Sequence, residues 1–207
     1  MRASVETNFA GNLRNRQLRG RTIIIVAILS LLVLPSLASA EFQIEPVSAT
    51  INGNQIEAIA DLELRLSDEA EEALDKGIPL LIVVELALLR ARPLLWKERI
   101  NRWRFPVQIR YHALSGRYII ERSGAGPAGT DSFGSFRTVA DALAAAGGTR
   151  RFVISVPNPL RDDEPDYRLS IRARLDIESL PVPLRLVAYI SPSWRLGSGW
   201  NQWNLEQ

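Results

Sequence analysis

The sequence predicts a mainly β domain with two short α-helices, folded as an antiparallel two-layer β-sandwich. Three observations lead there. Ile56, Ala58, Ala60, Leu62, Leu64 and Leu66 alternate with Glu57, Asp61, Glu63 and Arg65, Ile59 being the exception. The same alternation returns in Leu169, Ile171, Ala173, Leu175 and Ile177 against Arg168, Ser170, Arg172, Arg174, Asp176 and Glu178. Side chains of a strand change face at every residue, so each run is a strand with one wet face, the habit of antiparallel sheets. Thirdly, Asn52-Gly53-Asn54 and Ser115-Gly116-Arg117 supply hairpin turns between strand candidates.

Taken in order, residues 1–40 read as an export segment. Arg14, Arg16, Arg19 and Arg21 precede the apolar run Ile23 to Leu34, which is followed by Pro35 and the small exit Ala38-Ser39-Ala40. A positive head, an apolar middle and an A-x-A exit describe a secretory signal peptide. The rival is an uncleaved anchor. A dozen residues make roughly 18 Å of helix at about 1.5 Å each, against about 30 Å of hydrocarbon. That shortfall, and the helix-breaking Pro35, favour cleavage. Under either reading the arginines stay inside and residues 41–207 cross, so the expected location is the periplasm after Sec-type export, or the inner membrane with the domain on its periplasmic side. No Arg-Arg pair stands in the N-terminal head, so a twin-arginine signal is unsupported, and a chain without cysteine has neither a lipidation thiol nor disulfides.

Charge is recounted on that basis. Five of the 25 basic residues and one of the 23 acidic residues lie in residues 1–40, so residues 41–207 carry 20 and 22, a net of −2. Phosphate binding needs a net basic domain, and the expectation is therefore no nucleic acid. One domain, 41–207, suits this length.

Within it, Phe42 to Ile51 is the first strand candidate. Ser67 caps a helix over Asp68 to Asp75, with acids in its first turn and Gly77 as the stop. Leu80 to Leu89 is apolar on both parities except at Glu85, as a central strand covered on both faces would be. Val107 to Leu114 and Tyr118 to Arg122 form a second hairpin. Ser135 or a neighbour caps a second helix, Phe136 to Ala146, whose buried stripe is Phe136, Val139, Leu143 and Ala146. Phe152 to Val156 ends at Pro157, which lacks a ladder donor. The last run, Leu184 to Ile190, alternates weakly and reads as a strand.

Few residues suggest chemistry. Gly124-Ala125-Gly126-Pro127-Ala128-Gly129 matches G-x-G-x-x-G in letters, but no helix opens at the glycines, so no nucleotide site is expected. Asp162-Asp163-Glu164-Pro165-Asp166 lacks the alternate-oxygen spacing of a calcium loop. His112, the only histidine, has no cysteine partner, and Gly197-Ser198-Gly199 lacks a nucleophile-elbow setting. No cofactor or metal is expected, and no catalytic residue. Glu85 is an inward acid whose burial would raise its pKa, yet a lone inward acid among many arginines is more often an ion-pair partner.

The tryptophans carry the best surface. Trp96 and Trp103 bracket Arg99 and Arg102, and Trp194, Trp200 and Trp203 cluster near the C-terminus. Aromatics with arginines build platforms for sugars, peptides or partner proteins. Their bland reading is that tryptophans fill the ends of the sandwich.

The order of landmarks carries a resemblance. It runs through Asp68-Glu69-Ala70-Glu71-Glu72-Ala73-Leu74-Asp75-Lys76-Gly77-Ile78-Pro79-Leu80, then Trp96 and Trp103, then Ile109-Arg110-Tyr111-His112-Ala113-Leu114-Ser115-Gly116-Arg117-Tyr118. It closes with Leu180-Pro181-Val182-Pro183-Leu184-Arg185 and the stretch Trp194 to Trp203. Over nearly all of residues 41–207 the chain resembles an exported proteobacterial family, domain of unknown function 4390. The resemblance implies a periplasmic or membrane-tethered domain without an assigned activity or assigned catalytic residues. Members of such a family are often encoded near a membrane sensor kinase of the nitrogen-regulation type, a neighbourhood that hints at envelope sensing or kinase partnership.

The functional expectation is a non-enzymatic envelope module that binds a protein partner, an unknown envelope or membrane protein. Its contact surface would comprise Trp194, Trp200, Trp203, Trp96, Trp103, Arg99 and Arg102, and the membrane would be met only through an uncleaved N-terminal segment. The alternatives are a cell-wall glycan-binding or glycan-active protein, which for hydrolysis needs two facing carboxylates, and a lipid carrier, which needs an apolar cavity between the layers.

Overall fold

Two antiparallel sheets face each other in the computed structural model, which describes residues 41–90, 98–122, 132–156 and 167–205. The smaller sheet contains β1 (Gln43–Asn52), β2 (Gln55–Glu63) and β7 (Gly148–Ser155), in the order β1-β2-β7. The larger has six strands, ordered β6-β5-β4-β3-β8-β9. These are β3 (Leu80–Arg90), β4 (Glu98–His112), β5 (Arg117–Arg122), β6 (Ser132–Phe136), β8 (Tyr167–Leu175) and β9 (Asn201–Asn204). This is the β-sandwich that period-two alternation predicts. The described residues belong to one compact unit, Ala40–Gln207.

Alternation sets the inner faces. Ile56, Ala58, Ala60 and Leu62 of β2 are buried, as are Leu169, Ile171, Ala173 and Leu175 of β8. They meet Ile82, Val84, Leu86 and Leu88 of β3 in one core. β3 is central in its sheet and buried on both faces, which accounts for its two-sided apolar run. The Asn52-Gly53 turn joins β1 to β2, with Gly53 at φ +61°, a left-handed value that glycine adopts without a side-chain clash. Register in β1 shifts between Pro46 and Ser48, where proline cannot donate to the ladder.

Among the described residues three α-helices accompany the sheets, one more than predicted. Helix α1 (Asp68–Asp75) has the predicted bounds, with Ser67 Oγ accepting from the Ala70 amide at 3.2 Å. Helix α2 (Val139–Ala146) starts later than predicted, capped by Thr138. Phe136 instead ends β6, because the segment before the helix pairs with β5. Arg122 and Arg150 donate to the Ala145 and Ala146 carbonyls, filling acceptors that a helix C-terminus leaves open. Burial lowers both guanidinium pKa values.

Helix α3 (Val182–Ile190) corrects the strand expected at Leu184 to Ile190. Pro183 sits in its first turn, where a missing N–H costs nothing. The weak alternation of Leu184 to Ile190 suggests a strand, but no neighbouring ladder receives this segment among the described residues.

Candidate functional site

The outer face of the larger sheet is built around one carboxylate. Glu85 stands at the middle of β3, opposite Arg104 on β4 and Arg172 on β8. Two residues along on the same face, Ala87 lies opposite Arg102, and Val83 lies opposite Arg174. Strand pairing thus brings four arginines onto a side chain that is 0% exposed. Arg172 Nε donates to Glu85 Oε2 at 2.6 Å, and Arg102 Nη2 donates to the same oxygen. Oε1 accepts no hydrogen bond and is held by the charges of Arg104 at 3.4 Å and Arg174 at 3.7 Å.

Two effects oppose each other at Glu85. Burial alone would raise its pKa; the hydrogen bonds and charges of Arg102 and Arg172 outweigh it, and the carboxyl sits below its ordinary value. The group is therefore ionised at neutral pH. Arg174 also reaches Asp176, with Nη1 2.9 Å from Oδ1. Four guanidiniums against two carboxylates leave two positive charges uncompensated within this cluster. Arg104 keeps 61% of its side chain exposed, so its guanidinium can be reached from solvent.

Trp200 lies over this cluster. Its ring centroid is 4.5 Å from Arg172 Cζ and 5.9 Å from Arg102 Cζ, both within cation–π range. The preceding segment is stitched to the end of β8. The Leu175 amide donates to Leu196 O at 2.9 Å, the Ser198 amide to Ala173 O at 3.0 Å, and the Ala173 amide to Ser198 Oγ at 3.0 Å. Gly197 lets the two backbones approach, since a Cβ there would stand 3.3 Å from Ala173 O. Trp200 remains 38% exposed.

The seven residues singled out in the sequence separate. Arg102 and Trp200 join the cluster, and Arg99 is exposed opposite Leu89 at the end of the same face. Trp194 is 3% exposed and belongs to the core, which removes it from any contact surface. Trp103 pairs with Leu86 and packs partly buried against the core, as does Trp203 opposite Leu169. All three follow the space-filling reading: register puts Trp103 and Trp203 on the inner face, and the 3-10 turn Pro192–Trp194 buries Trp194. Trp96 lies outside the described residues, as do Gly124 to Gly129 and Asp162 to Asp166. Sequence reasoning missed Arg104, Arg172 and Arg174; the one signal was their period-two spacing.

His112 is locally engaged, with Nδ1 2.9 Å from Ser115 Oγ across the β4–β5 turn. Among the described residues no three His, Asp or Glu side chains group as metal ligands. A groove of about 640 Å³ opens where the end of β2 meets α1 and α2, and Asp61, Glu63, Arg65 and Glu71 line it beside Leu62 and Leu143. That lining is mixed rather than the wholly apolar one a lipid would need.

Fold and site together define an antiparallel β-sandwich whose larger sheet presents an arginine-rich, tryptophan-covered outer face over a buried carboxylate. A family model described as Domain of unknown function (DUF4390) matches residues 39–204, and the chain belongs to that family. No curated protein and no solved structure matches it.

Proposed function

We propose that the chain is an exported, non-enzymatic module of the cell envelope that binds a protein partner through the outer face of its six-stranded sheet. The observation that carries this reading is the stack of Trp200 on Arg172, itself held by Glu85. A guanidinium fixed between a carboxylate and an indole loses little freedom when a partner arrives, and tryptophan and arginine are the side chains that dominate binding surfaces. The uncompensated charge of the cluster suits an acidic patch on that partner. A domain of net charge −2 with a basic face orients such a partner toward one side.

Catalysis by Glu85 is disfavoured by its setting. Glycoside hydrolysis needs a protonated carboxyl facing a second one, whereas Glu85 is ionised and enclosed by arginines. No helix among the described residues is long and apolar enough to cross a membrane. A membrane-held partner, such as the sensor kinase hinted at by the family's gene neighbourhood, would be met through the sheet face.

A photo-crosslinking residue placed at position 104 in intact cells tests the proposal. The expected product is one discrete adduct with an acidic envelope protein, lost in a Trp200→Ala background that melts within a few degrees of the wild type. An adduct of equal yield from a residue placed at position 151, on β7 of the other sheet, would remove the assignment to this face.

A further inference from the structure

Strand β2 outruns the strand beside it. β7 pairs with it only as far as Gly148 opposite Leu62, because Gly147 and helix α2 take up the chain before that point. The β2 chain runs on through residues 63–66 to Ser67, which caps α1. Its alternation persists there, with Leu64 buried, Arg65 exposed and Leu66 half-buried. Successive backbone groups of a strand address opposite neighbours. Just before β2, the Asn54 carbonyl accepts from the Val156 amide at 2.8 Å, so even-numbered residues address the β7 side. Leu64 and Leu66 share that parity, and among the described residues the backbone of neither makes a hydrogen bond.

Leu64 and Leu66 line the groove of about 640 Å³ at the end of β2, and Val139, Ala140 and Ala144 line it from α2. An unpaired strand edge takes up an extended peptide as an additional strand, main chain against main chain. Four residues of edge span about 13 Å, at about 3.3 Å each. Register says what such a strand would carry, since cross-strand neighbours share a face. Its inward side chains would meet Leu62, Leu64 and Leu66, with Leu143 from α2, and would be apolar. The alternate ones would stand beside Asp61, Glu63 and Arg65 on the exposed face.

Charge decides the sign of those outer residues. Between Asp61 and Glu72 six acids stand against Arg65 alone. Arg65 is tied to Glu63 and Lys76 to Glu72, whereas Asp61 and Glu71, both on the groove, pair with no cation among the described residues. Of the cations on the elements around it, Arg122 and Arg150 donate to the carbonyls that end α2. Arg137 precedes the cap of α2 and is offset by Asp141 in its first turn. We propose that this groove binds an extended segment of a partner protein in which apolar residues alternate with lysine or arginine, taken up beside residues 63–66 as an added strand of the smaller sheet. The arginine face takes acid and the groove takes base, so the two contacts rest on different observations and either could fail without the other.

Two end-blocked hexapeptides test this on the full chain, one alternating valine with lysine and the other alternating valine with glutamate. Fluorescence anisotropy reads binding, and amide hydrogen exchange by NMR reports on Leu64 and Leu66. The expected result is saturable binding of the lysine peptide, several-fold weaker binding of the glutamate peptide, and several-fold slower exchange at both leucine amides on saturation. N-methylation of alternate peptide amides should abolish the slowing in one parity and spare it in the other, as a one-sided ladder requires. Ala144→Phe, a change at an exposed position of α2 that narrows the groove, should weaken binding several-fold. The peptide comparisons leave the protein unaltered, so a poorly folded variant does not decide the result. Binding without slowed exchange at Leu64 and Leu66 overturns the proposal, because charge alone then holds the peptide. Equal affinity for the two peptides, or no binding at millimolar concentration, overturns it as well. Exchange that is already slow in the free chain and quickens on dilution also overturns it, because a second copy then fills the groove.

Discussion

Glu85 and Arg172 face each other across the β3–β8 ladder, Nε 2.6 Å from Oε2, with the Trp200 ring closing over the guanidinium. The pair joins the fold to the candidate surface, because the residue that fixes the arginine is itself buried in the central strand.

Glu85→Gln should therefore cost stability. Removing one partner of a buried ion pair costs about 3–5 kcal/mol, and the lower end applies because the arginines are partly exposed. Urea unfolding reads this as a lower midpoint with an unchanged slope. A loss under 1 kcal/mol would show that the arginines find other counter-charges.

Acid should act through the same carboxyl. The Glu85 pKa is lowered in the fold from 4.5, so its contribution is present above pH 4.5 and drains away as pH falls through the lower folded value. The wild type should lose stability below that pH more steeply than Glu85→Gln does. Parallel acid limbs for the two proteins would contradict this.

Alkali has its own reporter. The hydrogen bond from Tyr118 to Asp75 raises the tyrosine pKa from 10.0 to about 12, with burial and the Asp75 charge adding to it. A raised folded pKa gives stability that is complete below pH 10 and lost as pH climbs toward 12. Tyr118→Phe should remove this alkaline decline, and a titration of the phenol absorbance checks the pKa itself.

Gly147→Ala should be among the costliest small substitutions. A Cβ at 147 would stand 2.3 Å from the carbonyl oxygen of Leu62, so the end of α2 must move off β2. Such overpacking costs about 1–3 kcal/mol. Thermal unfolding measures it, with Gly134→Ala as comparison, where a Cβ meets only the end of the Phe136 side chain.

Trp200→Ala should leave the fold standing. An exposed cation–π contact is worth about 0.5–1 kcal/mol, so melting shifts by a few degrees at most while partner capture is lost. A large loss of stability would mean that Trp200 is a structural lid instead of a contact residue.

Much of this architecture was legible in the sequence. Ser67 with its acidic first turn gave the start of α1 and Gly77 its end, and alternation in β2 and β8 gave their faces. β3 announced its central place through two-sided apolarity. The arginine cluster was hidden because it depends on register: residues 85, 104 and 172 meet only when three strands pair in one alignment. The partition of the tryptophans was hidden for the same reason, since one step of register separates Trp103 on the inner face from Arg102 on the outer. α3 was misread because Leu184 to Ile190 alternates weakly, and nothing local tells how the ladder is occupied.

The irregularity at Pro46 to Ser48 bears on how this protein avoids unwanted company. β1 borders the smaller sheet, and an open border of amides and carbonyls is a template on which foreign strands polymerise. Proline removes a donor there, and the register shift breaks the spacing a newcomer would have to match. A strand adding along that border would meet a broken ladder at its midpoint.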